Sequence, residues 1–412
     1  LAGPWATMIV TNKGRLIANT GTVGSGKGSN SLIVAQGGYA QFTAGPNYEG
    51  FGSQVGANYN SMIVRDPGSV LELPYSGYDW YIGRSIYGAN RMDGNVMYVQ
   101  NGGLLTNSAQ VIVANSLAGG VYCGSNTFNS GLSVSSSGQV WSSAMWYIGQ
   151  AGGATGNFAQ VTGAGSYWNM GGKVLNIVHT NGWNTNNYLT VDQGGTVENI
   201  GHLAVYSNNQ VNLWGGTLGA RKAAVSNGVV FTAGDGVQAA VLKAQGSNLC
   251  FNAGLMVNTN ATLTGLGTIQ AATTVYGTLN PGLTIGPMTN NGDLTLDAGG
   301  RSTFELAAYT TPGAGWDYLV VTNGTLTLNG TLRPQLSGGF MPTNTQSYLI
   351  MTNSQALSGV FGNAGDGDNV LVYTNATSSA IGTFRVNINS QSVVLDNFQR
   401  FVFALGAVFL FH

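Results

Sequence analysis

The stretch Asn187-Tyr-Leu-Thr-Val-Asp-Gln-Gly-Gly-Thr-Val197 contains the pattern that decides the fold. Leu189 and Val191 alternate with polar residues, as they would in a strand with one buried face. The glycine pair that follows allows a corner that a Cβ atom would obstruct, and Val197 then points back to the interior. We therefore interpret the stretch as two short strands joined by a tight corner.

The same pattern recurs along the first half of the chain. Its second apolar residue falls at intervals of 30, 35, 35, 27, 30 and 22 residues, at Val34, Val64, Val99, Val134, Val161, Val191 and Leu213. A second phrase, Trp80-Tyr-Ile82-Gly83 and Trp146-Tyr-Ile148-Gly149, interleaves with the first. A repeat of this length made of short strands is typical of a solenoid, in which each strand pairs with its counterpart one repeat on, roughly 4.8 Å away.

The composition favours the same fold class. Charged residues make up 7% of the chain and hydrophobic residues 43%, so a core is available although Lys and Glu, both strong helix formers, are scarce. We expect almost no α-helix, and a polar surface built from Asn, Ser, Thr and Gln side chains that can stack in ladders. The net charge is −1, with no basic cluster beyond Arg221-Lys222, which argues against a nucleic-acid partner.

We predict an all-β, right-handed parallel β-helix (solenoid) with a β-rich C-terminal cap or continuation. The predicted divisions are a repeat β-solenoid over 1–280, a β-rich region over 281–396 and an apolar C-terminal strand over 397–412. Because open solenoid ends expose unpaired strand edges, a cap over the second region is plausible.

A series of short motifs resembles a known family. The motifs, in chain order, are Gly265-Leu-Gly-Thr-Ile269, Asn280-Pro-Gly, Gly292-Asp-Leu-Thr-Leu296, Ser302-Thr-Phe-Glu-Leu306 and Trp316-Asp317-Tyr-Leu-Val-Val321. Their order is similar to that in the autotransporter-associated β-strand repeat proteins of bacteria, over about residues 30 to 365. The resemblance implies a secreted, surface-associated β-solenoid, extracellular or on the cell surface. It carries over no catalytic residue. Because Leu1 begins within repeat-like sequence, we expect the chain to be a mature or trimmed piece of a longer precursor.

The segment Phe401-Val-Phe-Ala-Leu-Gly-Ala-Val-Phe-Leu-Phe411 is apolar on both faces of a strand. It is too short to span a bilayer, which needs about 20 apolar residues. One interpretation is a strand contributed to another subunit, whose assembly residues are Phe401, Phe403, Leu405, Phe409 and Phe411. Packing within its own chain, and a truncated membrane or sorting segment, remain open alternatives.

An enzyme of the polysaccharide lyase or hydrolase type would need clustered carboxylates beside arginine or lysine. The densest charged group comprises Asp66, Asp79, Asp93, Arg65, Arg84 and Arg91, and scattered turn residues are the simpler interpretation. The histidines are too few and too dispersed for a metal triad. They are His179, His202 and His412. We predict no catalytic residue, no metal site and no cofactor.

Three weaker features stay open. Asp366 and Asp368 lie in a Gly-rich loop that could bind a cation but is better explained as a polar turn. Cys123 and Cys250 fall in different repeats, which favours buried free thiols over a disulfide. The tryptophans could form a sugar-stacking row or pack in the core, and they are Trp141, Trp146, Trp168, Trp183 and Trp214.

The leading functional prediction is a non-catalytic extracellular structural protein, a fibre subunit that associates with itself head-to-tail. The alternative is an adhesin or glycan-binding surface module. A β-helix polysaccharide lyase or hydrolase ranks third. An exposed aromatic row on one face would favour the second prediction over the first.

Overall fold

The computed structural model describes residues 5–19, 21–24, 28–43, 58–74, 80–85, 92–108, 111–116, 127–150, 153–178, 185–374 and 377–401. Within these ranges every regular element is a strand, so the prediction of an all-β chain is confirmed. Contacts divide the chain into two compact units, one of residues 1–263 with 267–271 and one of residues 264–266 with 272–412. The predicted division at residue 280 stays a prediction.

The strands are short and are numbered here in chain order. The earlier ones are β1 (Thr7–Val10), β2 (Arg15–Ala18), β3 (Ser31–Val34), β4 (Tyr39–Phe42), β5 (Ser61–Arg65), β6 (Val70–Leu73), β7 (Trp80–Ser85), β8 (Met92–Asp93), β9 (Val96–Gln100), β10 (Leu104–Asn107), β11 (Val111–Ser116), β12 (Thr127–Phe128), β13 (Gly131–Ser135), β14 (Gln139–Ser142), β15 (Trp146–Ile148), β16 (Phe158–Thr162), β17 (Tyr167–Asn169), β18 (Val174–Ile177), β19 (Tyr188–Asp192), β20 (Gly195–Ile200) and β21 (His202–Val205). The later ones are β22 (Gln210–Leu213), β23 (Gly216–Val225), β24 (Phe231–Ala233), β25 (Ala240–Phe251), β26 (Leu255–Val257), β27 (Ala261–Gly265), β28 (Thr268–Gln270), β29 (Thr273–Val275), β30 (Thr278–Pro281), β31 (Pro287–Asn291), β32 (Leu294–Leu296), β33 (Arg301–Leu306), β34 (Tyr318–Thr322), β35 (Leu326–Leu328), β36 (Thr331–Leu336), β37 (Tyr348–Asn353), β38 (Leu357–Gly359), β39 (Asn369–Thr374), β40 (Thr377–Asn389) and β41 (Ser392–Arg400).

The described part of the first unit is a parallel β-solenoid with three long ladders of strands, beside the short parallel pair β8 and β12. Face A consists of β1, β3, β5, β9, β13, β16, β19, β22, β24 and β26, each parallel to the next. Face B begins with β2, β4, β6, β10, β14, β17 and β20. Face C begins with β7, β11, β15, β18 and β21. The long strand β23 pairs with both β20 and β21, so it belongs to faces B and C.

The repeat spacing predicted from the sequence agrees with the strand register of face A. Val34 lies opposite Val64, and Val64 lies opposite Val99. The ladder continues through the remaining predicted positions, Val134, Val161, Val191 and Leu213. Because a slip of one residue would turn every apolar side chain to the solvent, the buried positions themselves enforce this register.

The glycine pair at the corner after β19 has two separate roles. Gly194 has a positive φ of 83°. That conformation is costly for residues with a Cβ atom. A Cβ atom on Gly195 would lie 2.3 Å from the carbonyl oxygen of Val161 on the preceding coil. The corner therefore holds adjacent coils at strand spacing only because both positions lack a side chain.

An asparagine ladder runs inside the first unit, parallel to face A. Its members are buried residues that precede successive face A strands, Asn30, Asn60, Asn95, Ser130, Asn157, Asn187 and Asn209. In a typical step, the backbone N–H of Asn157 and its Nδ2 donate to Oδ1 of Asn187, at 3.0 and 2.9 Å. The composition predicts amides at the surface, whereas these are buried. They can be buried because each one satisfies polar groups of the coil beside it.

The core between the three faces is apolar and contains large aromatic rings. Trp146 and Trp168 are fully buried and meet edge to face, with ring centroids 4.9 Å apart. The Nε1 atom of Trp146 donates to Ser142 Oγ at 2.8 Å, which satisfies the buried indole N–H. Each buried aliphatic side chain contributes about 1.5–3 kcal/mol to the core.

The second unit also has three parallel ladders. They are β29, β32, β35 and β38; β30, β33, β36 and β39; and β31, β34 and β37. Strands β40 and β41 then run antiparallel to one another and pair with β39 and β37. The C-terminal region is thus a solenoid continuation that ends in an antiparallel cap. Phe384 of β40 packs against Tyr348 of β37, with ring centroids 5.6 Å apart.

Asp317 is a buried acid within the second unit. Its Oδ1 accepts a hydrogen bond from the backbone N–H of Gly286 at 3.0 Å, and its Oδ2 accepts one from that of Glu305 at 2.8 Å. Burial raises the pKa of Asp317 to about 8, although the two hydrogen bonds act in the opposite direction. The side chain links β33 to the corner before β31, and its ionisation opposes folding.

Candidate functional site

Of the three acidic residues considered for an enzyme, Asp66 and Asp93 lie in the described part of the chain, and they do not converge. The backbone N–H of Asp93 donates to Oδ1 of Asn58, which precedes β5, at 2.9 Å. Asp66 follows the opposite end of β5, so the length of that strand separates the two carboxylates. Asp79, Arg91 and the side chain of Arg84 lie outside the described residues.

Most of the predicted assembly strand lies outside the described residues, including Phe403, Leu405, Phe409 and Phe411. Phe401 is described and its side chain is 38% exposed. Its backbone N–H donates to the carbonyl oxygen of Ile381 at 2.9 Å, so the chain is still paired with β40 at this point.

Both carboxylates of the loop with Asp366 and Asp368 accept backbone hydrogen bonds, one from β40 and one from the loop itself. Asp366 Oδ1 accepts from the N–H of Ile388, and Asp368 Oδ2 accepts from the N–H of Gly365, each at 2.8 Å. Among the described residues, no three His, Cys, Asp or Glu side chains are placed to hold a metal ion. The loop has the geometry of a polar turn.

Two other sequence features have a structural setting. Cys250 is a free thiol whose Sγ donates to Gln270 Oε1 at 2.6 Å, whereas Cys123 lies outside the described residues. The pKa of His202 is lowered, first by burial and then by Lys222. His179 and His412 are not among the described residues.

The described part of the chain contains no helix with the length and hydrophobicity of a membrane span.

The tryptophans divide into core and surface residues. Trp146 and Trp168 are buried, whereas Trp141 is 49% exposed and Trp214 is 46% exposed. Trp141 lies on face B beside Tyr167, with ring centroids 5.6 Å apart. Trp214 directly follows β22 on face A. Trp183 lies outside the described residues.

Two adjoining clefts meet at Trp214, and together we call them the face A groove. They share Gln210, Asn212 and Trp214. The first cleft, of about 430 Å³, adds Gln160, Asn186, Tyr188 and Thr190. The second, of about 390 Å³, adds Asn227, Val229, Val230, Thr232, Asp235 and Asn258 among its walls. The indole of Trp214 is therefore a wall common to both.

Backbone hydrogen bonds to both neighbouring coils hold Trp214 in place. Its N–H donates to the carbonyl oxygen of Val191 at 3.0 Å, and its carbonyl oxygen accepts from the N–H of Asp235 at 3.2 Å. Between Val10 and Val257, the two shortest coils of face A are the one before Leu213 and the one after it, so little loop intervenes around the ring. These bonds fix the backbone of Trp214 at the bend that directly follows β22.

The floor of the groove consists of outward-facing side chains of face A. Gln160 lies opposite Thr190, and Thr190 lies opposite Asn212, whose Nδ2 donates to Thr190 Oγ1 at 3.2 Å. On the parallel row, the rings of Phe158 and Tyr188 stack with centroids 5.9 Å apart. The floor thus combines amide, hydroxyl and aromatic side chains, which occupy equivalent positions on successive coils.

The charged group of the groove is acidic. Asp235 Oδ1 accepts from the backbone N–H groups of Gln238 and Val237, each at 2.8 Å, and these bonds hold its pKa below the ordinary range. Lys, Arg and His are absent from the described residues that line the two clefts. The groove is therefore neutral to negative at pH 7.

Trp214 was one of several candidates in the sequence, but the groove around it was not predicted. The missing signal was the outward row of the face A strands, since the residues directly before the aligned Val or Leu positions were interpreted only as polar partners. No protein-family model matches the chain, and no curated protein matches it. The resemblance to autotransporter-associated repeats stays a prediction.

Proposed function

We propose that the protein is a non-catalytic, extracellular solenoid that binds glycan in the face A groove. The observation that carries this proposal is the exposed indole of Trp214, which lies between two clefts lined by amide side chains on a backbone hydrogen-bonded to both neighbouring coils. An exposed tryptophan face packs against the apolar C–H face of a sugar ring, and the indole loses little conformational entropy on binding.

Amide side chains suit the hydroxyl groups of a saccharide. The side-chain amides of Gln160, Gln210 and Asn212 carry N–H donors and a carbonyl acceptor, and a sugar hydroxyl is both a donor and an acceptor. One N–H of Asn212 already donates to Thr190 Oγ1, which holds this amide in place. A groove with fixed amides on a β-sheet therefore pairs with several hydroxyls without rearrangement. Such preorganisation reduces the entropic cost of binding.

Several acidic side chains form hydrogen bonds or ion pairs within the fold, which supports a non-catalytic role. Asp317, Asp366 and Asp368 accept backbone hydrogen bonds within turns or between strands. Glu198 forms an ion pair with Lys243, and Asp396 forms one with Arg385 at 2.8 Å. These carboxylates serve the fold, whereas acid–base catalysis on a glycan needs two that face the substrate.

Binding to immobilised polysaccharides tests the proposal. Trp214→Ala removes the shared wall of the groove and is expected to weaken retention at least about tenfold. Trp141→Ala is the matched control, because that indole has nearly the same exposure but lies on face B. Equal retention of wild type and Trp214→Ala, or equal loss in both variants, would refute the groove as the binding site.

A second candidate function is that of a fibre subunit, and Phe401 favours it. The chain is still hydrogen-bonded to β40 at Phe401 while this ring is 38% exposed, so the apolar segment begins at a paired strand. Such a strand can extend the sheet of another copy by β-augmentation. Electron microscopy of the intact chain beside one lacking residues 402–412, which keeps β41 whole, tests this. Filaments from the intact chain alone would support assembly, and single particles from both would exclude it.

A further inference from the structure

We infer that the face A groove selects a neutral, extended glycan that lies parallel to the solenoid axis, with one sugar ring on each coil. This inference rests on the proposed function and adds the charge class and the orientation of the ligand. Three features of the groove support it, namely its charge, the strand register beneath it and its length.

The charge of the groove argues against acidic glycans. Uronate, sialate and sulfate groups need a cationic side chain or a cluster of N–H donors to replace their hydration. The described lining contains no cationic side chain, and the carboxylate of Asp235 stays ionised at neutral pH. An anionic sugar in either cleft would be desolvated without compensation, and in the second cleft it would also face the like charge of Asp235.

The register of face A sets the direction of the ligand. Gln160, Thr190 and Asn212 occupy equivalent positions on successive coils, and Thr232 continues this row on β24. Successive coils are roughly 4.8 Å apart. That spacing is close to the length of one pyranose residue in an extended chain. A chain parallel to the axis therefore presents each ring to the same position of the next coil.

The two clefts give the site its length. Their lining runs from Gln160 on β16, through β19, β22 and β24, to Asn258 just after β26. Five coils at strand spacing span roughly 20 Å. Trp214 lies near the middle of this path, so its indole can stack on a central sugar while the amides bind rings on either side.

The experiment compares soluble polysaccharides by affinity electrophoresis with the whole chain. The neutral probes are galactomannan, xyloglucan and mixed-linkage glucan, and the anionic probes are alginate and polygalacturonate. The expected result is retardation by at least one neutral polymer, lost in Trp214→Ala and kept in Trp141→Ala, with no retardation by the anionic polymers. Thr232→Lys places a cation in the groove and is expected to gain affinity for the anionic probes.

A length series gives the orientation by calorimetry with oligosaccharides of the retarding polymer. Affinity is expected to rise with each added sugar up to about four or five rings and then to level off. Saturation at one or two rings would overturn the axial placement. Stronger, Trp214-dependent binding of the anionic polymers would overturn the charge selection while leaving glycan binding intact. Binding that does not depend on Trp214, or no binding to any polymer, would refute the proposed function itself and this inference with it.

Discussion

Oδ1 of Asn187 accepts hydrogen bonds from both the backbone N–H and the side-chain Nδ2 of Asn157, at 3.0 and 2.9 Å. These two residues lie on adjacent coils and are fully buried. Asn187 in turn donates to Oδ1 of Asn209, so one side chain satisfies polar groups on both of its neighbours. The ladder therefore couples coil to coil inside an apolar core.

Asn187→Ala is expected to lower the free energy of unfolding by about 2–4 kcal/mol, because it removes the acceptor for buried N–H groups of Asn157. Urea denaturation of the whole chain measures this. Gln160→Ala, an outward-facing amide on β16, is the matched control and should change the free energy by less than about 0.5 kcal/mol.

Asn187→Ser provides a graded test of the same ladder. Ser130 already occupies one rung, where its Oγ accepts from the backbone N–H of Asn95 at 3.3 Å. The serine variant should therefore be more stable than the alanine variant. If serine and alanine are equally destabilising, the hydrogen bonds of the ladder are not what stabilises this position.

Gly195→Ala is expected to destabilise the first unit by about 2 kcal/mol or more, because the new Cβ atom would lie 2.3 Å from the carbonyl oxygen of Val161. Gly228→Ala is the control. Gly228 has a positive φ of 78°, and a Cβ atom there would meet nothing within 4 Å, so only the backbone cost of about 1–2 kcal/mol applies. A smaller effect at Gly195 than at Gly228 would contradict the close-approach argument.

Stability of the second unit is expected to fall as the pH rises from about 4 to 8. The pKa of Asp317 is raised from 3.8 to about 8 in the folded chain. In that window the unfolded state has lost its proton while the folded state retains it, so the unfolded state binds fewer protons. The resulting slope is at most about 1.4 kcal/mol per pH unit, and it levels off above the folded pKa.

Asp317→Asn should flatten this dependence, even though the amide pairs less well with two N–H donors and lowers stability overall. Thermal unfolding between pH 5 and pH 9 measures both effects. Asp293→Asn is the control, because hydrogen bonds from Thr325 lower the pKa of Asp293 and place its titration below that range. An unchanged slope in Asp317→Asn would assign the pH dependence to another group.

Glycan binding in the face A groove should be nearly insensitive to ionic strength. Exposed ionic contacts weaken with salt, whereas stacking on Trp214 and neutral hydrogen bonds do not depend on screening. Affinity for the retarding neutral polymer is therefore expected to stay within about twofold from low salt to molar salt. A steep loss of affinity with salt would indicate that charged groups outside the groove carry the interaction.

Much of the fold was readable from the sequence because its signal is local and periodic. The spacing from Val34 to Leu213 predicted the register of face A, since burial of one face leaves a single way to stack the coils. The Gly194-Gly195 pair marked the corner because both a left-handed φ and a close approach exclude other residues. For the region of β40 and β41, the sequence left open whether the chain continues the solenoid or folds into an antiparallel cap.

The sequence by itself thus determined the all-β solenoid, the coil register and the glycine corners, which depend on alternation and on steric exclusion within one repeat. The tertiary structure decided the rest. Trp168 and Trp214 look alike in sequence, yet one is buried and the other forms the wall of a groove. Asn187 and Asn186 are adjacent, yet one is a rung of the buried ladder and the other lines the groove. Those outcomes depend on which side chains the neighbouring coils place beside them, and equivalent positions on neighbouring coils are 20 to 35 residues apart.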